Sequence, residues 1–301
     1  MCAKTPSASR GCEAAGVSYS DSDAVQTELS EGWLTIWLNQ PAKRNALTAE
    51  LSGALQTVLD AVRDDRSVRG ITLRGKGGVF CAGGDLKALK SLGGLNGDAA
   101  EQEIKQLSLS GARIFEAVNS MPQVVIALVE GAAMAGGQGL ACCADMLIVE
   151  ADAKFAFTET AIGLTPAQIA PYVIQKVGCA AGRRLMLTAA RFNGSQAYSL
   201  GLADQCVSGE QALVDAEQVI RAQVLQCAPG AVADIKSLIL TLPERSAHER
   251  VNAAADNFAR RVLSEEGREG LAAFWGKGPP ERGQGGEGWD GEEPRGGREG
   301  G

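Results

Sequence analysis

The chain has 301 residues, 45% of them hydrophobic, and a formal net charge of −7 at pH 7. That hydrophobic content is ample for the core of one large domain or two. Nucleic acids and anionic membrane surfaces bind best to a basic face, so the acidic balance argues against either as a partner. No apolar run approaches the ~20 residues that span a bilayer, so we expect no membrane segment.

The elements predicted along the chain alternate between strand and helix. Residues 33–38 form an apolar strand pattern, and the apolar residues of the next stretch share one helical face: Leu51, Leu55, Val58, Leu59 and Val62. Further strands are predicted at 70–73, 124–129, 146–149 and 154–157, with a helix over about 99–120. From residue 166 the pattern is mostly helical, broken at 206–207. This alternation predicts an α/β core.

Both ends of the chain have the composition of unpacked segments. Residues 1–27 are rich in Ser, Ala and Gly without hydrophobic periodicity, which predicts a flexible extension. Residues 278–301 are rich in glycine and mixed charges, which predicts a disordered tail. We expect a cytoplasmic protein, with mitochondria as the alternative because Lys4 and Arg10 give the first residues a faint likeness to a transit peptide.

One histidine and eight cysteines restrict the available chemistry. His248 lies in a polar helix start, where a solvated surface position is favoured, and a Ser-His-Asp or Cys-His mechanism would have to recruit it. The cysteines lack CxxC spacing, which favours buried thiols in a reducing compartment over a metal site. The chemistry should therefore rest on carboxylates, backbone dipoles and bound water.

Two glycine-rich turns, at residues 80–85 and 131–139, each follow a buried strand. Glycine at a strand end permits a sharp turn, and a helix start beyond it leaves main-chain N–H groups unpaired. Two such groups facing each other form an oxyanion hole, which holds negative charge on a carbonyl oxygen. About 20 residues later, Glu159 lies in an apolar segment that would raise its pKa. Taken singly, each turn could be ordinary, and Glu159 could be a partly exposed acid before Gly163.

Taken together, and with residues 38–47, 190–203 and 269–274, these features resemble the crotonase (enoyl-CoA hydratase/isomerase) superfamily over about residues 32–277. The resemblance implies the ClpP/crotonase-like α/β fold, a spiral of ββα repeats, over residues 28–210. It also implies a C-terminal helical region, residues 211–277, that covers the site and joins subunits into homotrimers, often paired as hexamers.

The same resemblance implies an acyl-CoA thioester as substrate and assigns a role to each site residue. The amides of Gly84 and Gly136 would hold the enolate oxygen, and Glu159 would transfer protons. Residues expected to bind coenzyme A or the acyl group are Lys43, Arg44, Ala46, Ala82, Gly83, Gly84, Asp85, Leu86, Gly136, Gly139 and Lys277. Neither a metal nor a cofactor is implied, since coenzyme A is part of the substrate. Lys43 and Arg44 could equally form a solvated turn, and Lys277 lacks the arginine usually beside it in the family.

Gly139 departs from the pattern of the standard hydratases, which carry a second glutamate three residues after the oxyanion glycine. The missing side chain predicts a wider pocket beside the acyl group, suited to a bulky or branched chain. Residues 139–142 and 157–171 resemble the isohexenylglutaconyl-CoA hydratases, relatives of the methylglutaconyl-CoA hydratases, whose substrates carry a branch and a distal carboxylate. Gln168 is the one polar contact we could suggest for that carboxylate.

The leading interpretation is therefore a lyase that adds water to a branched α,β-unsaturated acyl-CoA. A 3,2-enoyl-CoA isomerase is the first alternative, because a single glutamate is also the isomerase pattern. A non-catalytic trimer that binds acyl-CoA is the second.

Overall fold

The computed structural model describes residues 19, 22–85, 87–88, 90 and 97–276 of the chain. The strands of this described part are β1 (Val25–Ser30), β2 (Trp33–Leu38), β3 (Gly70–Gly75), β4 (Val124–Val129), β5 (Ala132–Met134), β6 (Met146–Glu150), β7 (Lys154–Ala156), β8 (Arg191–Asn193) and β9 (Gln205–Val207). Its helices are α1 (Ala49–Val62), α2 (Asp98–Asn119), α3 (Gly136–Cys142), α4 (Ala170–Thr188), α5 (Gly194–Ser199), α6 (Glu210–Gln226), α7 (Pro229–Thr241), α8 (Ala247–Leu263) and α9 (Glu265–Gly276).

Six strands form the main sheet, in the order β1-β2-β3-β4-β6-β9. β2, β3, β4, β6 and β9 are parallel, and β1 is antiparallel at the edge. Helices α1 and α2 make the crossovers between parallel neighbours, as such pairs require. The face of α1 predicted to be apolar is the one it buries, with Leu51, Leu55 and Leu59 fully inaccessible to solvent.

A second sheet of three short strands, β5-β7-β8, packs beside the first. β5 and β7 are parallel, while β7 and β8 are antiparallel and stack Phe155 on Phe192. β8 was not predicted, because three residues leave no readable periodicity. An isolated bridge between Cys81 and Ala133 joins the two glycine-rich turns to each other. A second bridge, between Leu47 and Gly84, joins the first turn to residues 40–47.

The expected N-terminal extension ends earlier than predicted. β1 begins at Val25 and pairs along its whole length with β2, so residues 25–27 belong to the sheet. Ala24 and Val25 are only 2% and 4% exposed. The sequence did not predict this strand because its outward positions are polar, as an edge strand permits. Residues 1–18, the predicted tail at 278–301, Leu86 and Lys277 lie outside the described residues.

Removing residues 1–27 is therefore expected to destabilise the protein, whereas removing residues 1–18 should leave its melting temperature unchanged. The longer deletion removes buried Val25, three pairs of the β1–β2 ladder and the hydrogen bond from Asn39 N to Ala24 O. Burial of one valine alone contributes about 1.5–3 kcal/mol. Thermal melts of both truncated chains check this, and equal melting temperatures would contradict it.

Ion pairs and hydrogen bonds hold the C-terminal helices α7, α8 and α9 to the core and to one another. Lys236 of α7 is 9% exposed and binds Asp145 Oδ2 at 2.6 Å and Gln123 O at 3.1 Å, which anchors α7 to the core. Burial lowers the pKa of Lys236, although Asp145 opposes that effect. Arg261 of α8 pairs with Asp234 and Glu266, which joins α7, α8 and α9.

Within the described residues, no single helix is long and apolar enough to cross a membrane. The bent pair Glu210–Gln226 and Pro229–Glu244 reaches the limits of length and composition only when both members are counted together.

Candidate active site

The two glycine-rich turns face each other across a narrow gap. A Cβ built on Gly136 would lie 3.6 Å from Gly84 N, and one built on Gly83 would lie 3.4 Å from Gly136 N. The bonds from Cys81 N to Ala132 O (3.1 Å) and from Met134 N to Cys81 O (3.0 Å) hold the strands that lead into the turns. In the described part of the chain, neither the Gly84 nor the Gly136 amide donates a hydrogen bond. The two amide donors are thus free and close together, as the sequence of the two turns predicted.

The backbone at the second turn is strained. Ala135 has φ 49° and ψ −125°, a conformation that favours glycine and costs on the order of 1–3 kcal/mol for other residues. The hydrogen bond from Ala135 N to Ala156 O at 2.8 Å holds it in place. Because Gly136 starts α3 directly after Ala135, this conformation orients the Gly136 amide.

A loop at residues 40–47 backs the first turn and depends on Asn45, which is fully buried. Asn45 Nδ2 donates to Lys76 O at 2.9 Å and Val79 O at 2.7 Å, and its Oδ1 accepts from Gln40 N at 2.8 Å. Asn45 also has φ 53°, a left-handed conformation that asparagine tolerates better than most residues.

We expect Asn45→Ala to lower the free energy of unfolding by about 2–4 kcal/mol. The substitution leaves three partly buried backbone groups, Gln40 N, Lys76 O and Val79 O, without their partner, and each costs about 1 kcal/mol because partial exposure keeps the penalty at the low end of the usual range. The control is Asn39→Ala, which loses one exposed hydrogen bond to Asp23 O. Urea denaturation of both variants measures the difference, and similar values for the two would show that Asn45 does not hold the loop.

The residues expected to bind coenzyme A come together around the first turn. Leu47 N donates to Gly83 O at 2.8 Å, and Ala82 N donates to Arg44 O at 2.9 Å, so Leu47, the residue after Ala46, pairs with Gly84. The Lys43 and Arg44 side chains are exposed, and Lys43 Nζ is 3.8 Å from Glu50 Oε2. Asp85 Oδ1 accepts from Lys87 N at 2.9 Å. Leu86 and Lys277 belong to the part of the chain outside the described residues.

Glu159 is half-buried at the start of a short 3₁₀ turn, Thr160–Ile162. It follows β7, whose pairing with β5 brings this segment alongside the second turn. Its Oε2 is buried and, among the described residues, has no hydrogen-bond partner. Burial raises the pKa of Glu159, and a hydrogen bond from its own amide opposes this only in part. A carboxyl group in this condition is available to exchange protons.

The space expected beside Gly139 is filled. A Cβ built on Gly139 would overlap Ile169 Cγ2 and come within 2.6 Å of Ile169 Cβ. The prediction of a wider pocket at this position is therefore wrong, because an isoleucine from the start of α4 takes the place of the missing side chain. Ile169 is 3% exposed and belongs to the core.

Comparison with known proteins identifies the family of the chain over a range that includes the two turns and Glu159. A sequence profile described as Enoyl-CoA hydratase/isomerase matches residues 28–285 of the chain. The chain belongs to the enoyl-CoA hydratase/isomerase family. The α/β crotonase fold expected from the sequence is thereby confirmed, since solved structures of this family superpose on the chain.

Three relatives show how similar this chain is to other proteins in sequence and structure. Pseudomonas aeruginosa AtuE is 42% identical, with a TM-score of 0.82 over 87% of this chain and 100% of its own. An enoyl-CoA hydratase/isomerase from Marinobacter aquaeolei is 35% identical, also with a TM-score of 0.82, over 87% and 99%. Carnitinyl-CoA dehydratase of Proteus mirabilis is 32% identical over 255 residues, 82% of this chain and 94% of its own.

Family membership implies an acyl-CoA thioester as substrate and an enzyme of the enoyl-CoA hydratase type.

Three features of this member were not found from the sequence: the support by Asn45, the position of Ile169 and the burial of Gln138. Gln138 is fully buried in α3, and neither polar atom of its side chain has a partner in the described chain. Gln168, suggested as a substrate contact, donates to Ser108 Oγ of α2 at 2.9 Å. The Asn45 motif was visible in the sequence, but its long-range bonds were not.

Proposed function

We propose that this protein adds water to a branched α,β-unsaturated acyl-CoA, using an oxyanion hole formed by Gly84 and Gly136. The observation that carries the proposal is the pair of free amides on two separate turns that approach each other within a few ångströms. The half-buried carboxyl of Glu159, on the segment that runs beside the second turn, supplies the acid and base.

The reaction needs one carboxyl group and two donors. The Glu159 carboxylate takes a proton from water as the water oxygen bonds to Cβ of the substrate. The π electrons move to the thioester oxygen, where the two amides stabilise the enolate. The enolate then collapses, and Cα takes the proton from Glu159, which returns to the carboxylate. A single group with a raised pKa can serve in both directions.

The coenzyme A part is proposed to bind along the first turn. Backbone groups of Ala46, Ala82 and Gly84 would meet the adenine and the pantetheine arm, and the exposed cations Lys43 and Arg44 would meet the phosphates. The grouping of the 40–47 loop around Gly83 supports this proposal. An arginine or lysine beside a phosphate contributes a charge-assisted contact.

For the acyl group we propose the branched substrate class of the isohexenylglutaconyl-CoA hydratases. The likeness of residues 139–142 and 157–171 to that subfamily supports this class. The apolar Ile169 beside α3, in place of a second carboxylate, fits a hydrocarbon branch.

A 3,2-enoyl-CoA isomerase is the second candidate, because Ile169 leaves no room on Gly139 for a second water-binding group. Incubation with matched 2-enoyl and 3-enoyl thioesters, followed by mass spectrometry, separates the two. A gain of one water mass identifies a hydratase, whereas interconversion without a mass change identifies an isomerase. Binding by calorimetry without either reaction would leave the acyl-CoA-binding alternative.

We also propose that the protein assembles as a homotrimer or as a pair of trimers. Its last two helices bury no residue completely and expose several large apolar side chains: Val251, Phe258, Leu263, Phe274 and Trp275. An apolar surface of this kind is typical of a protein interface. Light scattering measures the mass of the assembly. We expect a trimer or a pair of trimers for the wild type and a smaller species for Phe258→Glu, and a wild-type monomer would contradict the proposal.

A further inference from the structure

One face of α3 connects the proposed oxyanion site to Ile169. Gly136 and Gly139 are three residues apart on α3, so their side-chain directions lie on the same face of the helix. A Cβ built on Gly136 would lie 3.4 Å from Leu47 Cδ1, 3.6 Å from Gly84 N and 3.8 Å from Phe115 Cζ. The direction from Gly139 is occupied by Ile169. Ile169 therefore borders the site about one helical turn from the two donors.

Ile169 is held firmly in that position. Its N–H donates to Pro166 O at 3.3 Å, and its carbonyl accepts from Val173 N at 3.1 Å as α4 begins. Residues 160–168, which connect Glu159 to Ile169, are mostly exposed and include the exposed side chains of Ile162 and Leu164. The loop thus begins at the half-buried Glu159 and is anchored at its other end by the buried side chain of Ile169.

We propose that Ile169 is a specificity-determining residue that lines the acyl site and limits the size of the group on Cβ of the substrate. This inference rests on the proposed function, because it assumes that the acyl group lies beside α3. Gly139 and Ile169 share one side-chain volume, so the wall of the site at this point is hydrocarbon and cannot bind water. A smaller residue at 169 should admit a larger Cβ substituent, since a pocket discriminates by the space it leaves.

The test compares Ile169→Ala and Ile169→Val with the control Leu185→Ala. Leu185 is 1% exposed in α4, the helix that follows Ile169, and its truncation removes an equal number of carbon atoms at a residue that does not fill the space beside Gly139. Each variant is assayed for hydration of crotonyl-CoA, which carries a methyl group on Cβ, and of cinnamoyl-CoA, which carries a phenyl group. We expect Ile169→Ala to raise the cinnamoyl-to-crotonyl ratio of kcat/KM by about tenfold or more, the usual effect of a change in pocket size.

Ile169→Val should move the ratio in the same direction by less, and Leu185→Ala should leave it unchanged. An unchanged ratio in both variants at 169, or an equal change in Leu185→Ala, overturns the inference while leaving the proposed function intact. If the wild type hydrates neither of these thioesters nor a 2-enoyl-CoA with a branch at Cβ, the proposed hydratase function fails.

Calorimetry with the saturated analogues butanoyl-CoA and phenylpropanoyl-CoA keeps the inference testable in that case. About a tenfold shift in the ratio of the two Kd values in Ile169→Ala supports it, and no shift overturns it.

The shared volume has its own test in stability. Gly139→Ala should lower the melting temperature, because the added methyl group overlaps Ile169. The double variant Gly139→Ala with Ile169→Ala should be more stable than the sum of the two single effects predicts. Additive effects would show that the two positions do not share a volume.

Discussion

Glu159→Gln is expected to lower turnover by about 10²–10⁴-fold while leaving acyl-CoA affinity nearly unchanged. The amide keeps the shape of the side chain but can neither take a proton from water nor return one to Cα. Turnover by a purified, folded variant and Kd by calorimetry measure the two quantities separately. Glu244→Gln, an exposed change in the C-terminal region, is the control. Turnover near the wild-type value would remove Glu159 from the mechanism.

The raised pKa of Glu159 adds a pH signature to this result. Burial disfavours the charged form, so the native state loses stability when Glu159 ionises, as the pH rises through its native pKa. Glu159→Gln should therefore be at least as stable as the wild type at pH 7, and any difference should vanish below the ordinary glutamate pKa of about 4.3. In the wild type, the acid limb of kcat/KM should fall at a higher pH than an ordinary carboxyl group would give.

Gly84→Pro is expected to lower kcat by about 10²–10³-fold relative to Gly84→Ala. Proline removes the amide proton that would stabilise the enolate, whereas alanine keeps it. A Cβ on Gly84 meets nothing within 4 Å, so alanine should fit without strain. The comparison of the two variants thus isolates the donor from the change in bulk.

Circular dichroism and calorimetry with an acyl-CoA establish that Gly84→Pro is folded and still binds. Equal turnover by the folded proline and alanine variants would exclude the Gly84 amide as an oxyanion donor.

Much of the fold could be read from local patterns. Residues 124–129 were predicted as a strand because a strand covered on both faces is apolar throughout, and β4 occupies that range. The α1 face was predicted from helical spacing, and the turns from glycine at strand ends. His248 was expected in a polar helix start, and it lies in α8 beside an Asn252 Nδ2 contact at 3.0 Å. These features follow from the chain within a few residues of each position.

The errors came from contacts between distant parts of the chain. β1 was missed because its stability comes from the ladder with β2 and not from its own pattern. The pocket beside Gly139 was predicted to be open because a glycine removes a side chain. The sequence could not show that Ile169, 30 residues later, occupies that space.

The sequence by itself determined the longer helices and the apolar strands, the two turns, the candidate acid Glu159 and the family likeness, since each depends on residues close together in the chain. Only the tertiary structure decided which groups meet. It brings Gly84 N close to Gly136, supports the first turn with Asn45 and closes the Gly139 side with Ile169. Such choices depend on excluded volume and on the pairing of buried polar groups between distant segments, and no local pattern encodes either.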